Sequence, residues 1–196
     1  MLTFLGAAAL AFGAIFVAEF GDKSQLLILA FATRYAARPV VLGLILAAAI
    51  IQGASVAVGA LVGAALPTGA VAVVSAIAFL AVAAWTLRGE DDAEGEAATA
   101  TGERLAGVAL VLTVAGTFIL GELGDKTMLA TFALAASQGP VPTWIGSTAG
   151  EVAANLIAVV VGRQVGHRLS PRVVRIGSAL LFAVAGVAVL AGVVLG

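Results

Sequence analysis

The chain contains no cysteine, a single histidine and little charge of either sign. Without cysteine there is neither a disulfide framework nor a thiolate metal site. Charged residues are 11% of the 196, about half the share of a soluble domain. No basic patch is present, so no nucleic-acid partner is expected. Proline is confined to Pro39, Pro67, Pro140, Pro142 and Pro171, all at breaks between apolar stretches and none inside one. The N-terminus lacks a basic stretch before its apolar run, so no cleaved signal peptide is expected. The one histidine, His167, sits in an arginine-bearing loop and reads as a solvated or headgroup-facing residue.

Apolar sequence fills the space that charge leaves. Hydrophobic residues make up 62% of the chain and mean hydropathy is +1.15. Several stretches reach the ~20 residues needed to cross a bilayer. This predicts an all-α polytopic membrane protein with the lipid bilayer as its main surroundings. Six helices are expected, over Leu2–Thr33, Pro39–Ala65, Gly69–Leu87, Arg104–Ala136, Thr143–Arg163 and Arg172–Leu195. The acidic stretch Gly89–Glu103 is the only long polar one and reads as a solvated linker. It divides the chain into three-helix halves over residues 1–88 and 104–196.

Loop charges orient these spans. Outside the motifs described next, the basic residues are Arg34, Arg38, Arg88, Arg104, Arg163, Arg168, Arg172 and Arg175. All lie in or beside the first, third and fifth loops. The positive-inside rule makes those loops, including the linker, cytoplasmic and leaves both termini outside. Each half has an odd number of spans, so the halves are expected to insert as two inverted repeats, a plan common among secondary transporters.

The halves share a phrase. Glu19-Phe20-Gly21-Asp22-Lys23-Ser24 returns 103 positions later as Glu122-Leu123-Gly124-Asp125-Lys126-Thr127. The same offset carries Pro39 to Pro142, Gly43 to Gly146, Gln52 to Asn155, Gly59 to Gly162 and Gly63 to Gly166. Carboxylates are costly in lipid, so Glu19, Asp22, Glu122 and Asp125 read as a functional site.

A continuous first helix would be about 48 Å long, against a hydrocarbon core of ~30 Å. Its acids would fall near the midpoint, and crossing the fourth helix there would gather all four carboxylates. Within a helix, Glu and Asp three apart share a face and the lysine follows Glu by four. The glycine permits close approach or a local break, and at a break Asp22 and Ser24 are candidates to cap the helix that continues. Four oxygen donors without His or Cys suit a hard divalent ion, Ca²⁺, Mn²⁺ or Mg²⁺, as cargo rather than as a resident cofactor. Gln52 and Asn155 are further oxygen ligands or groups that orient the acids. Lys23 and Lys126 either neutralise the acids of their own phrase or exchange places with the metal. Glu151, opposite Ala48 in the repeat, lies four residues before Asn155. It reads as a fifth ligand, a proton carrier or an entrance residue.

The doubled phrase resembles the signature of the Gdt-type cation/proton exchangers, formerly uncharacterised protein family 0016. The resemblance covers nearly the whole chain and implies secondary-active export of Mn²⁺, in some members Ca²⁺, from the cytoplasm in exchange for protons. It implies that Glu19, Asp22, Glu122 and Asp125 hold the ion. The minimal six-span plan without extra domains leads us to expect a prokaryotic inner (plasma) membrane. Gln25 continues the first copy as the family's motifs commonly do, whereas the second copy has Met128 there. No enzyme is expected. The chain has no His-Glu-x-x-His, no Tyr-Asp partner, and one residue too many for the Gly-x-Gly-Asp of intramembrane aspartyl proteases. The rival functions are a small amino-acid exporter, which four carboxylates would disfavour by repulsion, and a passive cation channel.

Overall fold

Each break in the fold traces to a short local signal. The computed structural model describes residues 3–20, 22–88, 105–165 and 171–195; the expected linker and His167 lie outside them. Among the described residues the regular elements are eight helices: α1 (Phe4–Glu19), α2 (Lys23–Arg34), α3 (Ala37–Ala65), α4 (Thr68–Arg88), α5 (Gly107–Glu122), α6 (Lys126–Gln138), α7 (Pro140–Val165) and α8 (Pro171–Leu195). The Thr3 hydroxyl accepts from the Gly6 N–H and caps α1. Pro39, Pro140, Pro142 and Pro171 all sit in first turns, where a missing N–H costs nothing. Gly139 ends α6 at φ 98°, a conformation that side chains avoid.

The six expected helices need one correction. The two long ones, over 2–33 and 104–136, are each two helices broken inside the shared phrase. Asp125 N–H donates to the Glu122 carbonyl, closing a four-residue turn with Leu123 at φ −61°, ψ 119° and Gly124 at φ 82°. Those angles belong to a type II turn, whose third position favours glycine. In the first half Asp22 N–H donates to the Glu19 carbonyl and Phe20 has φ −70°, ψ 117°, so the hydrogen bond and the second position repeat. At the second break α5 and α6 lie 82° apart.

Packing ties one half to the other. The main contacts set α1 on α7, α4 on α8, α6 and α5 on α3, α4 on α6 and α3 on α7, with a smaller one of α2 on α7. Glycines make the closest approaches possible. A Cβ on Gly43 of α3 would lie 2.7 Å from Val114 Cβ and 2.8 Å from the Val111 carbonyl of α5. Gly146 of α7 meets Ala8 and Ala11 of α1, the positions that the repeat equates with Val111 and Val114. Two apolar clusters result. One joins Ala11 and Ile15 of α1 to Phe79, Leu134 and Phe182; the other joins Phe31, Leu44 and Val114 to Phe118.

The outward face is apolar too. Leu5, Leu61, Val108 and Leu120 are each more than 70% exposed. Water would not tolerate so many such residues; lipid does. Both α3 and α4 are long and apolar enough to cross a membrane alone, and α5 with α6 passes the same test as a bent pair. The chain is an integral membrane protein.

Candidate metal centre

The broken phrase decides where the acids go. Glu19 and Glu122 are the last residues of α1 and α5, while Asp22 and Asp125 stand at the N-caps of α2 and α6. Glu and Asp therefore flank a turn instead of sharing a helix face. Neither aspartate makes a side-chain capping bond; the expected capping role of Asp22 and Ser24 is not what the break provides. Two helix N-termini, each with a partial positive charge, lie beside the acids and offset part of their repulsion.

From the two halves, Glu19, Asp22, Glu122 and Asp125 each bring a carboxylate oxygen to within 4.8 Å of the other three. All four are buried, Glu19 completely. Such a set can hold a hard cation: each oxygen is a ligand of the right kind, and burial removes competing solvent. Glu19 Oε1 and Glu122 Oε2 are buried without a hydrogen-bond partner among the described residues.

Short hydrogen bonds brace the acids. The Ser24 hydroxyl donates to Glu19 Oε2 at 2.9 Å. Thr127, the equivalent residue, donates to Asp125 Oδ2 at 3.3 Å. The Lys126 ammonium pairs with Asp22 Oδ1 of the opposite half at 2.5 Å. Helical spacing had pointed Lys126 at the acids of its own phrase. The bend also lets it reach across, so a charge pair joins the two halves. The side chain of Lys23 lies outside the described residues.

A second polar group stands beside the first. The Thr131 hydroxyl donates to Gln52 Oε1 at 2.6 Å, and Gln52 Nε2 donates to Glu151 Oε2 at 2.5 Å. This chain links α6, α3 and α7. Both ends of the Gln52 amide are occupied, which makes it an orienting group in this arrangement. Asn155 differs: its Nδ2 donates to the Glu151 carbonyl, and Oδ1 is buried without a partner among the described residues. Glu151 lies outside the four-acid group but on the helix that Gln25 of the first phrase grips through the Ala154 carbonyl. With it, every acidic residue outside 90–103 belongs to this centre.

Two residues that continue the phrase hold backbone in place. Gln25 Nε2 donates to the Ala154 carbonyl of α7 at 3.3 Å. The Met128 sulfur accepts from the Gly124 N–H at 3.2 Å, closing the turn that presents Glu122 and Asp125. Sequence reasoning missed Thr131, because Ile28 occupies its repeat position and no motif includes it. Its one signal is the four-residue spacing from Thr127, which puts both on one face of α6.

Known proteins resemble the chain along most of its length. The profile of a family described as "Divalent cation/proton antiporter GDT1" matches residues 7–94 and 110–195. A "Putative manganese exporter" of Vibrio cholerae is 29% identical over 177 residues, covering 89% of this chain and 85% of that protein. A GDT1-like protein of Synechocystis is 31% identical over 86% of this chain and 88% of its own length. Protein PAM71, chloroplastic, of Arabidopsis thaliana is 31% identical over 90% of this chain, which spans 54% of that longer protein. No solved structure matches the chain.

Proposed function

The chain belongs to the divalent cation/proton antiporter GDT1 family, and from that premise we propose that it exports Mn²⁺, with Ca²⁺ as a second cargo, in exchange for protons by alternating access. The observation that carries this reading is the buried group of four carboxylates, two from each half, with oxygens within 4.8 Å of one another. Four monodentate oxygens leave room in a Mn²⁺ or Ca²⁺ shell for second carboxylate oxygens or water. The relative in Vibrio cholerae named as a manganese exporter supports Mn²⁺ as the cargo.

The mechanism follows from competition. The same oxygens accept a proton or a metal ion, and metal binding therefore displaces protons. Lys126 holds Asp22 while the metal is away and yields it when the ion arrives. Protons entering from the opposite side then return the acids to a neutral or lysine-paired state that can cross back.

Six crossings give this site its two faces. At 16 residues, α1 or α5 extends about 24 Å, short of the ~30 Å hydrocarbon core, so each needs the helix after its break to complete a crossing. The turns between Glu and Asp are then hinges at the bilayer centre, as in transporters built from broken helices. Equivalent glycine contacts, Gly43 on α5 and Gly146 on α1, support two inverted halves over 1–88 and 104–196, joined by the linker. The arginine-bearing loops face the cytoplasm and both termini face out, in a prokaryotic inner membrane.

Purified protein in liposomes tests the reading, with Mn²⁺, Ca²⁺ and Mg²⁺ offered separately and an internal pH dye. Mn²⁺ uptake with opposite proton flux, absent in Asp22→Asn and Asp125→Asn, is the expected result. Metal flux without proton movement indicates a passive channel, and no divalent flux from folded protein sinks the metal reading.

A further inference from the structure

Four side chains recur every fourth residue along α7: Thr143, Ser147, Glu151 and Asn155. All four are buried, none more than 1% exposed. At four-residue spacing they form one stripe, and from Thr143 to Glu151 it rises about 12 Å. It starts in the first turn of α7, beside the α6–α7 turn, and runs to Glu151, which accepts from Gln52, and Asn155, next to the Ala154 carbonyl that Gln25 of the first phrase holds. The repeat-equivalent positions on α3 are Val40, Leu44, Ala48 and Gln52, of which the first three are buried and apolar. The stripe therefore exists in one half only.

Its polar atoms are under-supplied with partners. Thr143 Oγ1, Glu151 Oε1 and Asn155 Oδ1 are buried without a hydrogen-bond partner among the described residues, and the Ser147 hydroxyl donates only at 3.3 Å to the Trp144 carbonyl. Buried polar atoms without protein partners are ordinarily satisfied by water or by an ion. The contact with α1 does not need them, since α7 meets α1 through Gly146 and Gly150.

We infer that Thr143, Ser147 and Glu151 line a one-sided hydrated route by which a divalent cation passes between the α6–α7 end of the protein and the four-acid centre. Glu151 is the last station on that route: one oxygen is fixed by Gln52 and the other is open to a passing ion. Hydroxyls at Thr143 and Ser147 replace part of the ion's water shell without holding it tightly. On the α3 side, Val40, Leu44 and Ala48 offer no oxygen, so the route from the opposite face is built differently. The cation's identity rests on the proposed function; the existence of the route does not.

A chain without cysteine makes the test direct, because each introduced thiol reports alone. Thr143→Cys, Ser147→Cys, Val40→Cys and Leu44→Cys would be made in the full chain, in sealed vesicles of known orientation. A membrane-impermeant cationic thiol reagent would be added from either face. Ser147→Cys and Thr143→Cys should react from the α6–α7 face at least about tenfold faster than Val40→Cys and Leu44→Cys from either face, since a thiol buried among apolar groups is inert. Mn²⁺ should slow the reaction at Ser147→Cys. Glu151→Gln should exchange Mn²⁺ at least about tenfold more slowly, and unchanged exchange in it removes Glu151 from the route. Inertness of Ser147→Cys from both faces overturns the route, as does equal reactivity of Val40→Cys or Leu44→Cys. Labelling as expected with no Mn²⁺ protection keeps the route and rejects Mn²⁺ as what travels it.

Discussion

Ser24 and Thr127 hold equivalent places in the doubled phrase, yet Ser24 donates to the glutamate before its turn and Thr127 to the aspartate after it. Gln25 and Met128 diverge further. Gln25 reaches the backbone of α7, whereas Met128 folds back on its own turn. On α3 and α7 the divergence is complete, with apolar Val40, Leu44 and Ala48 opposite polar Thr143, Ser147 and Glu151. The two halves are thus alike at the carboxylates and at the glycines Gly43 and Gly146 that pack α3 and α7, and differ in the side chains that lead towards the acids. In the proposed exchanger an ion meets the same ligands whichever face is open, which accounts for the acids in both halves. The routes to those ligands would then lead to different compartments and have no reason to match.

The largest expected effect comes from breaking the shared part. Asp22→Asn and Asp125→Asn should each lower Mn²⁺ exchange by roughly 100-fold or more, as loss of a charged ligand does. Asp22→Asn should also destabilise the protein by about 1–3 kcal/mol, because it removes the charged acceptor that Lys126 reaches across the halves. Adding Lys126→Met should recover most of that stability and none of the exchange. Thermal unfolding in detergent beside a flux assay separates the two; a double variant as unstable as the single one would contradict the cross-half pair.

Next in size is the polar chain on which the halves differ. Gln52→Leu strands Thr131 and Glu151 together and should cost about 1–3 kcal/mol. Asn155→Leu removes only a bond to a helix carbonyl and should cost about 0.5–1.5 kcal/mol. Equal losses in denaturation experiments would argue that the two amides are interchangeable after all.

Gly124→Ala forces a side chain into a left-handed turn at about 1–2 kcal/mol, although nothing lies within 4 Å of the new methyl. Gly116→Ala, equally uncrowded but inside α5, should be neutral or stabilising by up to about 1 kcal/mol. The contrast isolates backbone conformation from crowding, and exchange should fall in the first variant alone. Smallest of all, Met128→Gln makes the second copy like the first. It should change stability by no more than about 0.5 kcal/mol and leave Mn²⁺ exchange near native, because Met128 braces the turn and does not touch the four-acid group.

The sequence by itself determined the class, the repeat and the acids. Apolar runs of bilayer length and scarce charge admit one kind of surroundings, and a charged phrase copied at a fixed offset marks the residues that must meet. Helix ends were legible too, because proline and glycine act through backbone geometry alone. The tertiary structure decided what depends on partners far along the chain. Glu-x-Gly-Asp is compatible with a helix in isolation; it became a turn where four acids from two halves needed both helix ends. Lys126 chose Asp22, 104 positions away, and Gln52 chose Glu151 and Thr131, because the bend and the crossed packing brought those atoms within reach. Spacing along a chain fixes which neighbours share a face. Only packing fixes which distant atoms arrive opposite it.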